Sequence, residues 1–397
     1  MSALSLTLFE KRAIFGLSLI MALRMVALFM ALPLFALYAN TLEDATPFLI
    51  GLAIGIYGLF QAFLQIPLGM LSDQYGRKTI ITVGLCIFIL GSFLSGYTES
   101  IWSMILGRAL QGSGAVGSTL LALLADCTRI EKRTQAMAIT GIGIGAAFGI
   151  AMLAGPLLNQ WFNVGDLFLF SAFLGMVILI LLYTIVPDPT TASAMPSRLQ
   201  VSAIKTLLRQ PELWRLNSGI FILHTLFSAS FVAIPFNIID SLHVPITQHW
   251  TLYAPSLMIA FPISFFCIGM VERTHSIKSC FLLAISILLI SELLFLLCIP
   301  STLFIIFALS LFFIGFTLLE GFLPSLVSRA APLNQKGGAL GIYSCAQFLG
   351  IFAGGILGGF IYGYLNTKGV YLFCFFLSLI WLSFAFSMQS SQHFYQE

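Results

Sequence analysis

The sequence predicts an all-α membrane protein with twelve transmembrane helices in two pseudo-symmetric six-helix bundles. Three observations carry this: a composition too apolar for water, a succession of apolar runs of spanning length, and a motif pair repeated half a chain apart. Of 397 residues, 59% are apolar and only 8% charged, with a mean hydropathy of +1.01. A soluble globule of this size needs more charge to coat its surface, so the bilayer must be the main solvent. Only helices and closed barrels satisfy every backbone polar group in lipid, and the runs are too long for barrel strands.

Taken in order, the runs predict spans near 13–37, 48–70, 79–97, 101–125, 136–160, 165–187, 216–239, 250–271, 279–299, 302–327, 338–363 and 369–388. Lys11 and Arg12 precede the first. It lacks a small-residue cleavage site and is too long for a signal core, so it reads as a retained span. With an even number of spans both termini share one side. If that side is cytoplasmic, fifteen of the 18 Lys and Arg fall inside and only Lys368 outside, Arg24 and Arg108 being within spans. The positive-inside rule therefore predicts cytoplasmic termini and an inner-membrane, multi-pass protein.

The longest hydrophilic segment, 188–215, divides the spans six and six. It predicts an N-terminal bundle over 1–187, a cytoplasmic linker over 188–215 and a C-terminal bundle over 216–397. Within the linker Val201, Ile204, Leu207 and Leu208 fall at helical spacing between Arg198, Lys205 and Arg209, as in a helix lying on the membrane surface. GMLSDQYGRK from Gly69 returns weakly as GMVERTHSIK from Gly269, and RTQAMAITG from Arg133 as KGGALGIYS from Lys336, at offsets of 200 and 203 residues. Two halves of common origin explain both matches and put a substrate site near the midplane between them.

Several function classes are excluded at this level. The seven cysteines are scattered without a CxxC pair or a histidine at ligand spacing, which supports neither a metal site nor disulfides. A net charge of +3, spread over helix ends, gives no nucleic-acid surface. No loop beyond the linker is long enough for a soluble catalytic domain, and no HExxH, GxSxG or P-loop occurs, so neither enzyme chemistry nor direct use of ATP is expected.

Gly69 to Lys78, GMLSDQYGRK between spans 2 and 3, resembles the G-x-L-a-D-r-x-G-r-k motif of the major facilitator superfamily. GRALQGSGAVG in span 4 resembles the buried-arginine motif of its drug:proton antiporter branch, and stretches such as IGLAIGIYGLFQAFLQIPLGMLSD, SFVAIPF and YSCAQFLG are similar to the bacterial YajR-type transporters. The resemblance implies the major facilitator fold. The soluble C-terminal domain of YajR-type proteins is expected to be missing, since this chain stops at Glu397. In the antiporter motif of span 5, Gly155 and Pro156 remain, but Asn159 and Gln160 replace a glycine pair.

The resemblance also assigns a conformational latch to Gly69, Asp73, Gly76, Arg77, Lys78 and Asp126. Arg77 would pair with Asp126 at the end of span 4, and Asp73 would face the partly positive start of span 11. Gly69 and Gly76 would permit close helix approach and a tight turn. The latch would close the inner side in the outward-facing state.

Charges inside spans are expensive and should face a partner or a cavity. Glu320, mid-span in FTLLEGFLP, is a carboxyl that can trade a proton for substrate, and His224 is a further titratable group. Arg108 matches the buried arginine of the antiporter motif. Arg24, on the cavity-lining first span, either binds an anionic substrate or balances Glu320. Glu292, on a peripheral span, reads as structural. Gln61, Gln65, Gln111 and Gln347 are uncharged polar groups suited to hydrogen bonding with substrate, and 38 phenylalanines would suit bulky amphipathic ligands. The function expected is a secondary active transporter without a cofactor, powered by the proton gradient and exporting drug-like or metabolite compounds. A proton symporter for uptake is the alternative, and a non-transporting sensor or scaffold the reading from another class. Expected partners are a small-molecule substrate, protons and membrane lipid, with the chain acting as a monomer.

Overall fold

The computed structural model describes residues 5–188, 206–274, 277–297, 299–332 and 335–387. Among them the chain is built of helices, the principal ones being thirteen α-helices: α1 (Leu8–Phe29), α2 (Leu32–Ala39), α3 (Pro47–Tyr75), α4 (Arg77–Tyr97), α5 (Ile101–Ser113), α6 (Gly117–Asp126), α7 (Ile130–Leu158), α8 (Val164–Thr184), α9 (Pro211–Leu242), α10 (Trp250–Thr274), α11 (Ile277–Leu297), α12 (Thr302–Ala330) and α13 (Lys336–Ala385). Local sequence fixes several starts. Thr7 and Glu10 form a reciprocal capping box on α1, and Thr46 caps α3 ahead of Pro47.

These helices make the twelve predicted crossings, with three departures from uniform spans. Span 1 breaks after Phe29, just before Pro33, into α1 and α2. Proline removes an N–H and crowds the preceding turn, so the helix restarts there. Span 4 breaks at Gly114, Ala115 and Val116 into α5 and α6. Spans 11 and 12 are two legs of α13, reversed at Asn366 with φ 55° and ψ −161°. The surface helix expected in 188–215 lies outside the described residues except for 206–209, which are helical.

The two halves meet along a glycine seam. A Cβ on Gly51, Gly55 or Gly58 of α3 would run into the backbone of α13 at Gly355, Phe352 or Phe348. Backbones this close gain dense van der Waals packing, the main attraction available between helices in lipid. Cys345 Sγ donates to the Ala62 carbonyl at 3.5 Å, and below that level the seam ends. Nothing lies within 4 Å of a Cβ on Gly337 or Gly341 of α13, Gly141, Gly143 or Gly145 of α7, or Gly269 of α10. The halves are therefore joined at the face away from the termini and parted at the terminal face. An aromatic cluster braces the joined end, Phe29 and Phe148 from the first half meeting Phe227 and Phe316 from the second with centroids 4.7 to 6.5 Å apart.

Candidate functional site

At the terminal face the α3–α4 turn needs a residue with φ of 91°, which Gly76 supplies without the penalty a Cβ would bring. The turn delivers Arg77 to three partners. Its guanidinium pairs with Asp73, donates through Nε to Asp126 Oδ2 at 2.9 Å and through Nη1 to Ser72 Oγ at 2.6 Å. Lys78 bridges to the Asp188 carboxylate and the Val186 carbonyl, both at 2.8 Å. Just past α6, burial pushes the Cys127 thiol up to about 11. Two expectations differ from the geometry. Asp73 is engaged by Arg77 within its own half and the start of α13 stands open, because the terminal face is parted in this conformation. A Cβ on Gly69 would meet only Ser118 Oγ at 3.6 Å, an ordinary contact and not the close approach expected.

Deeper in the first half, Arg108 of α5 donates to Gln111 Oε1 at 2.7 Å and to the Ala53 carbonyl at 3.4 Å. Its guanidinium lies over the rings of Tyr57 and Phe35, with centroids 5.2 and 5.6 Å away. Gln111 in turn donates to Ser92 Oγ at 2.8 Å. Fully buried with both ends of its amide engaged, Gln111 braces Arg108 and does not line a cavity, contrary to the sequence expectation. Arg24 donates to Gln61 Oε1 at 3.2 Å, in its own half, and is not the ion partner of Glu320. Gln65 is buried one turn further along α3.

Across the interface His224 of α9, Glu320 of α12 and Gln347 of α13 form a hydrogen-bonded cluster. His224 Nδ1 lies 3.3 Å from the Ile220 carbonyl, which assigns the ring proton to Nδ1 and leaves Nε2 as an acceptor. Gln347 Nε2 spends its two hydrogens on that Nε2 and on Glu320 Oε1, each at 3.0 Å. His224 Nε2 and Glu320 Oε2 are 3.8 Å apart, and Oε2 has no hydrogen-bond partner. The Glu320 side chain is 38% exposed although Oε2 itself is buried, and it lies one turn along α12 from Phe316, which packs on Phe148 of the first half. Such a cluster can accept a proton at the unpartnered Glu320 Oε2 as it stands, or at His224 Nε2 at the cost of turning the Gln347 amide. Glu292 is fully buried and accepts from Ser230 Oγ at 2.9 Å.

The profile of the Major Facilitator Superfamily matches residues 15–354. The chain belongs to this superfamily. It is 40% identical over 383 residues to the inner membrane transport protein YajR of Escherichia coli K12, covering 96% of this chain and 84% of that one. A tetracycline resistance protein, class H, of Pasteurella multocida is 30% identical over 137 residues, 33% of each chain. Among solved structures, a bacterial homologue of the human lysosomal transporter Spinster, inward-facing and occupied, superposes with a TM-score of 0.74 at 15% identity, over 96% of this chain and 97% of that one, which shows the shared fold. The superfamily chain is thus a multi-pass transporter that works by alternating access.

Sequence reasoning missed Ser72, which ties Arg77 to α3, and Ser92, which holds Gln111. It also missed the break in span 4. The run GSGAVG was the available signal for that break, since glycines inside an apolar span weaken the helix.

Proposed function

We propose that this transporter exports drug-like or metabolite molecules in exchange for protons, across the inner membrane, with both termini in the cytoplasm. The His224–Gln347–Glu320 cluster carries the reading. It is the one described place where a carboxyl group, a neutral imidazole and a turnable amide meet at the space between the halves. Alternating access changes the water around Glu320, so its proton can be taken from one side and given to the other. The Arg108 motif and the class H relative support export. On this reading the terminal face, on which the basic residues gather, is the cytoplasmic one, and its parting is an inward-open conformation.

In that conformation the Arg77 network is confined to the first half. When the halves close at the terminal face, Asp73 approaches the first N–H groups of α13, and the network becomes the latch of the outward-open state. The test is purified protein in liposomes containing a pH-sensitive dye. Adding a transported compound should move protons opposite to it. Compound flux with no proton movement would refute the coupling, and protons moving with the compound would establish symport instead.

A further inference from the structure

The break in span 4 leaves the start of a helix in the middle of the first bundle. α6 ends at the latch residue Asp126 and begins at Gly117, ten residues and about 15 Å deeper. No side chain caps it, and the opening N–H groups of any helix lack intrahelical acceptors and carry partial positive charge. Arg24 reaches the same point, since a Cβ on Gly117 would lie 3.4 Å from its Nη1. Arg24 is 7% exposed, and its bond to Gln61 Oε1 leaves further guanidinium hydrogens unused. Gln61 is 0% exposed, and its Nε2 has no partner.

Apart from Gln61 Oε1, which Arg24 already occupies, what converges here is a donor or a positive charge. The acids ion-paired in the first half are Glu10, Asp73, Asp126 and Asp188, all at the terminal face, and Arg108 beside Tyr57 adds a second cation. A buried guanidinium without a counter-ion is costly unless something supplies one. In membrane transporters, half-helix N-termini set at the midplane point at anionic groups of the cargo.

We infer that Arg24, the Gln61 amide and the N-terminus of α6 anchor an oxyanion of the transported molecule, a carboxylate or phosphate-type group on an otherwise apolar body. The inference rests on the transport reading above and names its substrate class. It also fits the energetics of exchange. An anion leaving and a proton entering each move positive charge inward, so an inside-negative potential drives both.

Binding can be read without any gradient, which separates this test from that of proton coupling. Thermal unfolding of the purified protein is followed with benzoate, octanoate and inorganic phosphate, and with benzamide and octanamide as neutral matches. At least one anion should raise the unfolding temperature saturably while its amide does not. Arg24→Gln should weaken that anion about ten- to a hundredfold, the range for losing charged hydrogen bonds. Gln61→Glu should do the same by placing a carboxylate against Arg24 from within. Both variants should leave the empty protein at least as stable, because each removes or satisfies an unpaired cation. Amides acting as well as anions, or undiminished anion binding in Gln61→Glu, would overturn the assignment. So would a wild-type response to every anion no larger than that of Arg24→Gln. Phosphatidylglycerol and phosphatidylcholine are added in parallel. Arg24-dependent stabilisation by phosphatidylglycerol alone would make the oxyanion a lipid headgroup and remove the claim about cargo.

Discussion

Replacing Glu320 by glutamine removes a proton site and leaves its shape. Gln347 Nε2 donates to Glu320 Oε1 at 3.0 Å, and the carbonyl oxygen of a glutamine can accept that bond in place. The substitution exchanges a charge-assisted bond for a neutral one, a cost of about 1 kcal/mol. The variant should therefore fold and reach the membrane. Coupling is where it should fail. One proton per cycle across a gradient of one pH unit supplies about 1.4 kcal/mol, enough for up to about tenfold accumulation of cargo. In proteoliposomes under such a gradient the wild type should approach tenfold, whereas Glu320→Gln should stay near equal concentrations, with exchange at equilibrium retained. Gradient-driven accumulation in Glu320→Gln equal to wild type would show that the proton travels elsewhere, with Asp126 and His224 the next groups to test.

The latch yields a second expectation. Arg77→Ala strands Asp73 and Asp126, whose side chains are 18% and 29% exposed, so partial hydration limits the loss to about 1–3 kcal/mol. Transport should slow while cargo binding persists, and Cys127, whose raised pKa and burial hold back alkylation at neutral pH, should react faster with maleimide in the variant. Equal transport at equal abundance, or unchanged labelling, would count against the latch. Topology is checked by labels at Glu43, Glu99, Asp166 and Lys368, expected outside, and at Lys132 and Lys336, expected inside, and the reversed pattern would overturn the orientation. A Cβ on Gly155 of α7 would overlap the Met30 carbonyl where span 1 breaks, so Gly155→Ala should cost about 1–3 kcal/mol in thermal stability, and an unaltered unfolding temperature would disprove that packing.

The membrane-spanning architecture was legible because lipid enforces it: a run of about twenty apolar residues can satisfy its backbone only as a helix. The Asp73–Arg77 contact was legible for another reason, since a short motif at a turn brings its members together locally, whereas Asp126, 49 residues from Arg77, was named by the family resemblance alone. Less legible were the breaks. Hydropathy counts Met30 and Ala115 as apolar whether or not their amides are bonded, so spans 1 and 4 read as continuous. Pro33 and the glycines of GSGAVG marked them only for a reader looking at backbone chemistry. The polar residues divided by environment. Gln111 and Gln347 are alike in sequence, yet one is locked against Arg108 and Ser92 and the other is shared between an imidazole and a carboxylate.

By itself the sequence determined the solvent, the number of crossings, the family motif and the residues whose charge inside a span demands a reason. These follow from composition and from spacing along one helix or turn, and neither needs knowledge of what packs against what. The partners of those charges were decided by tertiary structure alone. Glu320 meets His224 and Gln347, which lie 123 residues apart in the chain, while Arg24 finds Gln61 and a helix N-terminus instead of an acid. The conformation was decided there too. Glycines run along both α3 and α13 well beyond the seam, but between these two helices only Gly51, Gly55 and Gly58 on one side and Gly355 and Gly359 on the other bring backbones into contact, because the halves separate below that level.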